Sequence, residues 1–219
     1  MKRIIPLALT LSLTNALTGF AAPNVVTTTE DLASIAREVG GEKVSVVSLC
    51  RGYQDPHFVD AKPSSLIKLS RADLFIQAGK ELEIGWAPQL VTNSRNPKIQ
   101  PGAPGNLDAS LHVAMLEIPS GPVSRAQGDV HPYGNPHYWL DPENGLRMAE
   151  AIRERLAQLS PDDAAYFQER TDAFTKRLKE SIIAWSKRAE ALSLNGLPVV
   201  TYHRSWTYFA KAFGFKVVD

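Results

Sequence analysis

The amino-acid sequence predicts an α/β protein with a parallel sheet of βαβ units in an N-terminal lobe, one long rigid helix, and a second α/β lobe that is only begun. Three observations predict this fold class. Strand-like and helix-like periodicities alternate along the first part of the chain, as in βαβ units. One helical apolar stripe then continues over residues 160–195, roughly 50 Å at ~1.5 Å per residue, which is too long for one small sheet. A new strand, helix and strand pattern follows Gly196.

The first 21 residues predict a secretory signal peptide. Two basic residues precede an apolar run over residues 4–17, and a small-x-small cleavage pattern ends at Ala21. The apolar run is shorter than the ~20 residues of a membrane span. We therefore expect cleavage after Ala21 and a soluble periplasmic protein.

Residues 22–159 are expected to form the first lobe. Its early segments alternate between β-branched strands and helices with apolar residues three and four positions apart. In chain order they are the strand "NVVTTT", a helix over Glu30–Val39, the strand "KVSVVSL", a helix opened by Pro63, the strand "ADLFIQAG" and a helical stretch over Leu82–Leu90.

A long connection and two capped helices complete the first half of the fold. Residues 94–127 are rich in Pro, Gly, Asn and Ser, with "DASLHVAM" as a short capped helix. Asp141 and Pro142 then supply an N-cap and an N1 proline for a helix to about Leu159. Ser160 and Pro161 do the same for the long helix of residues 160–195. Its apolar stripe comprises Phe167, Phe174, Leu178, Ile182, Trp185, Ala189 and Leu192.

Residues 196–219 read as the start of a C-terminal lobe. The strand "LPVVTY", the helix "HRSWTYFAKAFG" and the strand "FKVVD" follow one another. A single βαβ unit does not cover its own apolar faces, so we expect this lobe to be truncated.

Charge and cysteine content exclude two classes of protein. The chain has 24 basic and 23 acidic side chains, and loss of residues 1–21 would leave 22 against 23. Such a balance lacks the basic surface that nucleic acid requires. Cys50 is the single cysteine, which excludes a disulfide-stapled scaffold. Because it lies far from the cleavage site, a lipid anchor is not expected.

Three of the five histidines share one kind of position in the predicted fold. His57 lies in the loop after "VSVVSL", His137 lies in the proline-stiffened segment "NPHYWLDP", and His203 directly follows "LPVVTY". Ligands bind α/β sheets at loops beyond the carboxyl ends of parallel strands. Neutral imidazoles suit zinc, which takes about four nitrogen, oxygen or sulfur ligands. The sequence therefore predicts a zinc site, although a surface or capping role stays open for each histidine on spacing alone.

The remaining candidates have secondary roles. His131 precedes the same proline-rich segment and is a candidate for an accessory or metal-transfer role, whereas His112 is expected on the surface of a short helix. Asp141 is first a helix cap, with orientation of an imidazole as a further possibility.

Four segments together resemble the zinc- and manganese-binding receptors of ABC metal importers. They are the "DPH" loop, "NPHYWLDP", the Ser-Pro-capped long helix and "VVTYHRSWTYFAKAFG". The resemblance covers essentially the whole mature chain and implies that His57, His137 and His203 are the first three metal ligands. Manganese members resemble this pattern but carry a carboxylate at the third position, so His203 favours zinc over manganese. The family's fourth ligand is an acidic residue of the second lobe, to which no position up to Asp219 can be matched.

This resemblance implies a high-affinity zinc receptor without enzymatic activity. Its partner would be an ABC permease in the inner membrane, with a periplasmic metallochaperone as another candidate, and a monomer is expected. An exported zinc hydrolase is the alternative from another class, since three histidines and an open position also make a catalytic site. No H-E-x-x-H motif occurs and no acid directly adjoins a predicted ligand, which favours the receptor. A manganese-binding or adhesin-like member of the same family is the remaining alternative.

Overall fold

The computed structural model of the chain describes residues 22–123 and 130–218. The predicted signal peptide and its cleavage point lie outside the described residues, as does Asp219. Within the described ranges, no helix combines the length and the apolar character needed to cross a membrane.

A four-stranded parallel sheet forms the centre of the first lobe. Its strands are β1 (Asn24–Thr27), β2 (Ser45–Ser48), β3 (Leu74–Gln77) and β4 (Asn106–Asp108), in the spatial order β2-β1-β3-β4. Val25 of β1 pairs with Val46 on one side and with Leu74 on the other. The parallel sheet predicted from the alternating segments is thereby confirmed.

Six α-helices accompany the strands in the part of the chain described. They are α1 (Glu30–Gly40), α2 (Pro63–Ser70), α3 (Ala87–Asn93), α4 (Pro142–Leu159), α5 (Ala164–Ala191) and α6 (Thr207–Phe213). The predicted cap of α4 is confirmed, because the Asp141 side chain accepts a hydrogen bond from the backbone N–H of Glu143. A 3₁₀ turn over Pro161–Asp163 leads into α5.

Two local expectations were wrong. The segment "DASLHVAM" was expected to be helical, but it begins within β4 and continues only as a 3₁₀ turn over Ala109–His112. A helix was also expected over Leu82–Leu90, whereas α3 begins only at Ala87. The backbone before it has positive φ at Gly79, Lys80 and Glu81, with values of 79°, 52° and 66°. These left-handed residues form a loop that a right-handed helix excludes.

Both faces of the parallel sheet are covered, as such sheets require. Helices α1, α4 and α5 pack on one face, where Val25, Leu74 and Ile76 belong to the larger core cluster. The smaller cluster on the other face combines Val26 and Phe75 with residues of α2 and α3.

The long helix α5 has 28 residues and therefore extends about 42 Å. Its first part packs on α1 and α4, where Phe167 is fully buried. Its last part lies beside α6 and leaves Trp185 47% exposed, so the predicted apolar stripe is buried over only part of its length.

The residues after α5 form a small parallel pair of strands, β5 (Pro198–Val199) and β6 (Lys216–Val217), joined through α6. Tyr208 of α6 is 2% exposed and belongs to the core cluster of the first lobe. The second lobe therefore begins in contact with the first. The division into residues 22–159, 160–195 and 196–219 stays a prediction.

Candidate metal centre

His57 lies in the loop after β2, where one neighbouring side chain controls its orientation. Oδ1 of Asp55 accepts hydrogen bonds from the His57 backbone N–H at 2.9 Å and from the ring Nδ1 at 2.7 Å. The indole N–H of Trp86 donates to the backbone carbonyl of Pro56 at 2.8 Å. Because Nδ1 carries the proton, the neutral ring has its lone pair on Nε2.

His137 has the same local arrangement, eighty positions later. Oδ1 of Asn135 accepts from the His137 backbone N–H at 3.0 Å and from its ring Nδ1 at 2.9 Å. His137 is 5% exposed and precedes the 3₁₀ turn of Tyr138–Leu140. Its Nε2 atom therefore also carries the lone pair in the neutral ring.

The structure brings the three predicted histidines together. One ligand atom from each of His57, His137 and His203 lies within 4.8 Å of those of the other two. Nε2 of His203 lies 3.2 Å from Nε2 of His137. Three elements that are distant in sequence thus present imidazole nitrogens to one point.

His131 lies beside His57 at the edge of this group, while His112 does not belong to it. Nε2 of His131 lies 3.2 Å from Nε2 of His57, and the two ring centroids are 5.3 Å apart. The ring of His131 lies 6.2 Å from that of His137. His112 is exposed at the end of its 3₁₀ turn, as expected for a surface residue.

Two of the nitrogen separations match the edge length of a zinc tetrahedron. A zinc ion with four nitrogen ligands at ~2.0–2.1 Å has ligand atoms roughly 3.3–3.4 Å apart along each edge of the tetrahedron. The two Nε2 pairs, each at 3.2 Å, are close to that length and involve four different histidines. The mutually close group itself contains the atoms of His57, His137 and His203, all within 4.8 Å of one another.

Burial keeps the central imidazole neutral. It is the main cause that lowers the pKa of His137 to about 3, and positive charge on His57, His203 or His131 lowers it further, against the opposing effect of Asp55. A neutral imidazole has its lone pair available for a cation at any physiological pH.

Asp55 remains a carboxylate beside the site. Partial burial alone would raise its pKa, but the hydrogen bonds from the backbone and ring of His57 outweigh that effect and hold the pKa below its usual range.

The candidate centre opens into a large cleft. The cleft has a volume of about 870 Å³, and His57, His131 and His203 are among the residues that line it. Acidic side chains of Asp60 and Glu81 line it as well. A hydrated cation can therefore reach the imidazole nitrogens from solvent.

Sequence reasoning missed the residues that orient the candidate ligands His57 and His137. Asp55 and Asn135 each stand two positions before a histidine, with a proline between them, in the segments "DPH" and "NPH". This repeated acceptor-Pro-His pattern was the available signal. Asp141, the candidate considered instead, acts as the cap of α4. The indole of Trp86 gave no signal, because 30 positions separate it from Pro56.

A family profile described as "ZnuA: Zinc-uptake complex component A periplasmic" matches residues 25–219 of the chain. Among curated proteins, the metal ABC transporter substrate-binding lipoprotein ScbA of Streptococcus cristatus is 29% identical over 204 residues, covering 90% of this chain and 61% of the relative. The manganese ABC transporter substrate-binding lipoprotein scaA of Streptococcus gordonii is 30% identical over 198 residues, covering 87% and 59%. The chain thus spans about three fifths of the length of these curated relatives.

Solved structures give the same picture of the fold. Zinc-bound AdcA of Streptococcus pneumoniae superposes with a TM-score of 0.69 at 25% identity, over 90% of this chain and 38% of AdcA. A zinc-bound deletion mutant of ZnuA gives a TM-score of 0.75 at 25% identity, over 90% and 69%. A manganese-bound periplasmic metal-binding protein mutant from Candidatus Liberibacter asiaticus gives 0.70 at 20% identity, over 90% and 67%. These neighbours confirm the predicted α/β fold.

Proposed function

Because the chain belongs to the ZnuA family of periplasmic zinc-uptake components, we propose that it is a metal-binding receptor of an ABC importer and that its metal is zinc. The convergence of ligand atoms from His57, His137 and His203 within 4.8 Å of one another is the observation that carries this proposal. The receptor would take up the ion outside the cytoplasm and deliver it to a permease in the inner membrane.

The donor atoms favour zinc over manganese. Imidazole nitrogen suits zinc, whereas manganese prefers oxygen ligands and forms weaker complexes in the Irving–Williams order. Related proteins are named for manganese or for metal in general, and zinc-bound structures occur among the neighbours. We therefore base the choice of zinc on this chain's own histidines.

We further propose His131 as an accessory ligand that supplies a fourth nitrogen. Its Nε2 atom lies 3.2 Å from Nε2 of His57, close to the edge of a zinc tetrahedron. His131 lines the cleft together with His57 and His203, so it would contact an ion that passes between solvent and the site.

The relatives are named as substrate-binding proteins of ABC transporters and not as enzymes. Hydrolysis would also need a general base near the metal. Asp55 adjoins the site, and its Oδ1 already accepts two hydrogen bonds from His57, while Asp60 and Glu81 line the wider cleft. Capture and release of the metal, without chemistry, is the function this arrangement supports.

Zinc titration of single-histidine variants tests the ligand set. His57→Ala, His137→Ala and His203→Ala should each weaken zinc binding by more than about tenfold, because each removes one of few ligand atoms. His112→Ala, which removes an exposed imidazole outside the centre, is the matched control and should bind zinc as the parent does. Equal losses in all four variants would contradict the assignment.

Metal competition tests the choice of ion. Purified metal-free protein should take up zinc from a mixture with excess manganese, and native mass spectrometry should count one zinc ion per chain. Preferential loading with manganese would contradict the zinc proposal while leaving a metal receptor in place.

Location and partners complete the proposal. We propose a monomer in the periplasm after cleavage behind Ala21, with the permease and a periplasmic metallochaperone as partners. The relatives are named lipoproteins, so attachment to the membrane is the alternative. Cell fractionation should recover the protein in the soluble periplasmic fraction, and recovery with the membranes would contradict this location.

A further inference from the structure

Asn135 uses its side-chain amide in two directions. The residue is 6% exposed, and its Oδ1 atom faces His137, where it accepts from the backbone N–H and from ring Nδ1. Because Oδ1 accepts from a backbone N–H, the orientation of the amide is determined, and its NH₂ group points the other way.

The NH₂ group faces the segment that carries His203. Nδ2 of Asn135 donates to the backbone carbonyl of Arg204 at 2.7 Å and to Oε2 of Glu117 at 2.7 Å. Arg204 directly follows His203 in the chain. A single amide therefore links His137 to the residue that follows His203, and the Nε2 atoms of these two histidines are 3.2 Å apart.

A second contact holds the same two parts of the chain together. The Tyr208 hydroxyl donates to the backbone carbonyl of Asn135 at 2.9 Å and accepts from the backbone N–H of Leu116 at 2.9 Å. Oγ1 of Thr207 lies 3.4 Å from Nδ2 of Asn135. The start of α6 is thus attached to the His137 loop through both the side chain and the backbone of Asn135.

The comparison with Asp55 indicates why position 135 carries an amide. Both side chains present an oxygen to the backbone and ring of a histidine two positions later. Asp55 is 54% exposed at its side chain, so a carboxylate there can face water. Position 135 must also donate, because a carboxylate would meet the Glu117 carboxylate and the Arg204 carbonyl.

We propose that Asn135 is a positioning residue that couples His137 to the segment carrying His203, and thereby sets the distance between their Nε2 atoms. The coupling is a property of the metal-free chain, whereas its effect on metal affinity rests on the proposed function. Loss of the NH₂ group should leave His137 oriented but free His203 from its alignment with it.

Zinc affinity of Asn135→Asp, measured with and without His203→Ala, tests this coupling. The aspartate retains the acceptor for His137 and loses both donors. We expect zinc binding to weaken by about 10–100-fold in the parent background. The same change in the His203→Ala background should cost about twofold or less, since the residue through which it acts is gone.

Asn93→Asp provides the matched control, because Asn93 is exposed at the end of α3 and the substitution adds the same charge. It should leave zinc affinity unchanged in both backgrounds. An equal loss from Asn135→Asp with and without His203 would overturn the proposal, because Asn135 would then act through His137 alone.

Amide hydrogen exchange of the metal-free protein gives a readout that does not depend on zinc. Asn135→Asp should speed exchange in residues 207–213 while leaving β1 and β3 as protected as in the parent, and unchanged exchange in α6 would overturn the coupling. If Asn135→Asp loses protection throughout, Asn135→Ala removes the amide without adding charge and carries the same expectation for α6. Failure of the parent protein to bind zinc would contradict the proposed function, while the exchange result would still decide the coupling.

Discussion

His57 and His137 are each oriented by a side-chain oxygen two positions earlier in the chain. This oxygen accepts hydrogen bonds from the backbone N–H and from the ring Nδ1 of the histidine. The proline between the acceptor residue and its histidine has a fixed φ, so little conformational freedom remains to be lost when the metal binds. The orientation of the Nε2 lone pair is thereby fixed in the metal-free protein. At Asp55 the acceptor is also a charge, which increases the basicity of the ring.

Removal of the acceptor at position 55 tests this orientation. Asp55→Ala should weaken zinc binding by about 10–100-fold, as expected for a residue that orients a ligand, and Asp55→Asn should lose less because it keeps an acceptor oxygen. Competition with a chelator of known affinity measures both. Asp60→Ala removes an equal charge from the same loop and should have little effect. An unchanged affinity in Asp55→Ala would show that the ring is oriented by other means.

The buried imidazole of His137 makes the stability of the metal-free protein depend on pH. Its pKa is about 3 in the folded chain, chiefly through burial, against ~6.5 for an unfolded histidine. Between these values the unfolded state binds more protons, so the free energy of unfolding falls as pH falls from about 6.5 towards 3. The free energy of unfolding changes by up to about 1.4 kcal/mol per pH unit in this range. Above pH 6.5 the stabilisation due to the neutral His137 side chain is fully present.

Urea denaturation at pH 6.5, 5.5 and 4.5 measures this dependence. His137→Gln cannot take up the proton, so its unfolding free energy should fall less steeply over the same range. Parallel pH profiles for the two proteins would contradict the low pKa of His137.

The grouping of His57, His137 and His203 was predictable at the scale of single residues, whereas the side chains that orient them were not. His57 and His203 each follow a strand, which is where α/β proteins bind ligands, although the structure puts these strands in two different sheets. Asp55 and Asn135 form hydrogen bonds within a three-residue turn. The spacing of apolar residues predicts helices and strands and carries no information about such turns. The approach of His131 to His57 depends on tertiary packing across 74 positions.

At the scale of elements, the loop over residues 79–86 joins the sheet to the His57 loop. The Glu83 carboxylate accepts hydrogen bonds from Thr28 Oγ1 at 2.5 Å and from the N–H groups of Ala78 and Gly79 at 2.7 and 3.0 Å. It thereby connects the ends of β1 and β3. Burial raises the pKa of Glu83, and the hydrogen bonds act in the opposite direction.

Trp86→Phe tests whether this loop supports the candidate metal centre. Phenylalanine keeps most of the buried ring but removes the N–H that reaches the Pro56 carbonyl. We expect the free energy of unfolding to fall by about 1 kcal/mol and zinc to bind several-fold less tightly. Trp185→Phe on α5, where the side chain is 47% exposed, is the matched control. Loss of stability without any loss of zinc affinity would limit Trp86 to a packing role.

Local patterns predicted most elements of the first lobe and failed at two. The spacing of Leu82, Trp86 and Leu90 matches a helix, but left-handed residues at positions 79–81 override that pattern. Strand β4 has only three residues, of which Leu107 alone is buried. A segment this short shows no repeated alternation of apolar and polar residues from which a strand could be predicted. Pairing with β3 determines its conformation instead.

At the scale of the molecule, the two sheets differ in size and in expected stability. The four-stranded sheet is covered on both faces. In contrast, β5 and β6 have two residues each and form two parallel residue pairs. We expect amide exchange after residue 196 to be faster than in β1 and β3, because local opening exposes less apolar surface there. Zinc should slow exchange in α6, since His203 then shares an ion with His57 and His137. Uniform protection without zinc, or no change with it, would contradict this expectation.

The overall architecture was predictable because the sequence patterns that indicate it extend over long stretches of the chain. The alternation of strands and helices and the apolar stripe of α5 each span tens of residues, so single local errors do not change the fold class. The contact of Tyr208 with the first-lobe core was not predictable, since the residue lies in an ordinary amphipathic helix.

The candidate metal centre joins residues far apart along the chain, with 74 positions between His57 and His131 and 66 between His137 and His203. Contacts of such high sequence separation form late in folding, because the entropy of closing long loops must be overcome before they are made. A chain still emerging from a ribosome or a translocation channel lacks the site until His203 is free and docked. We therefore expect zinc binding only after the segment that carries His203 has docked against the first lobe.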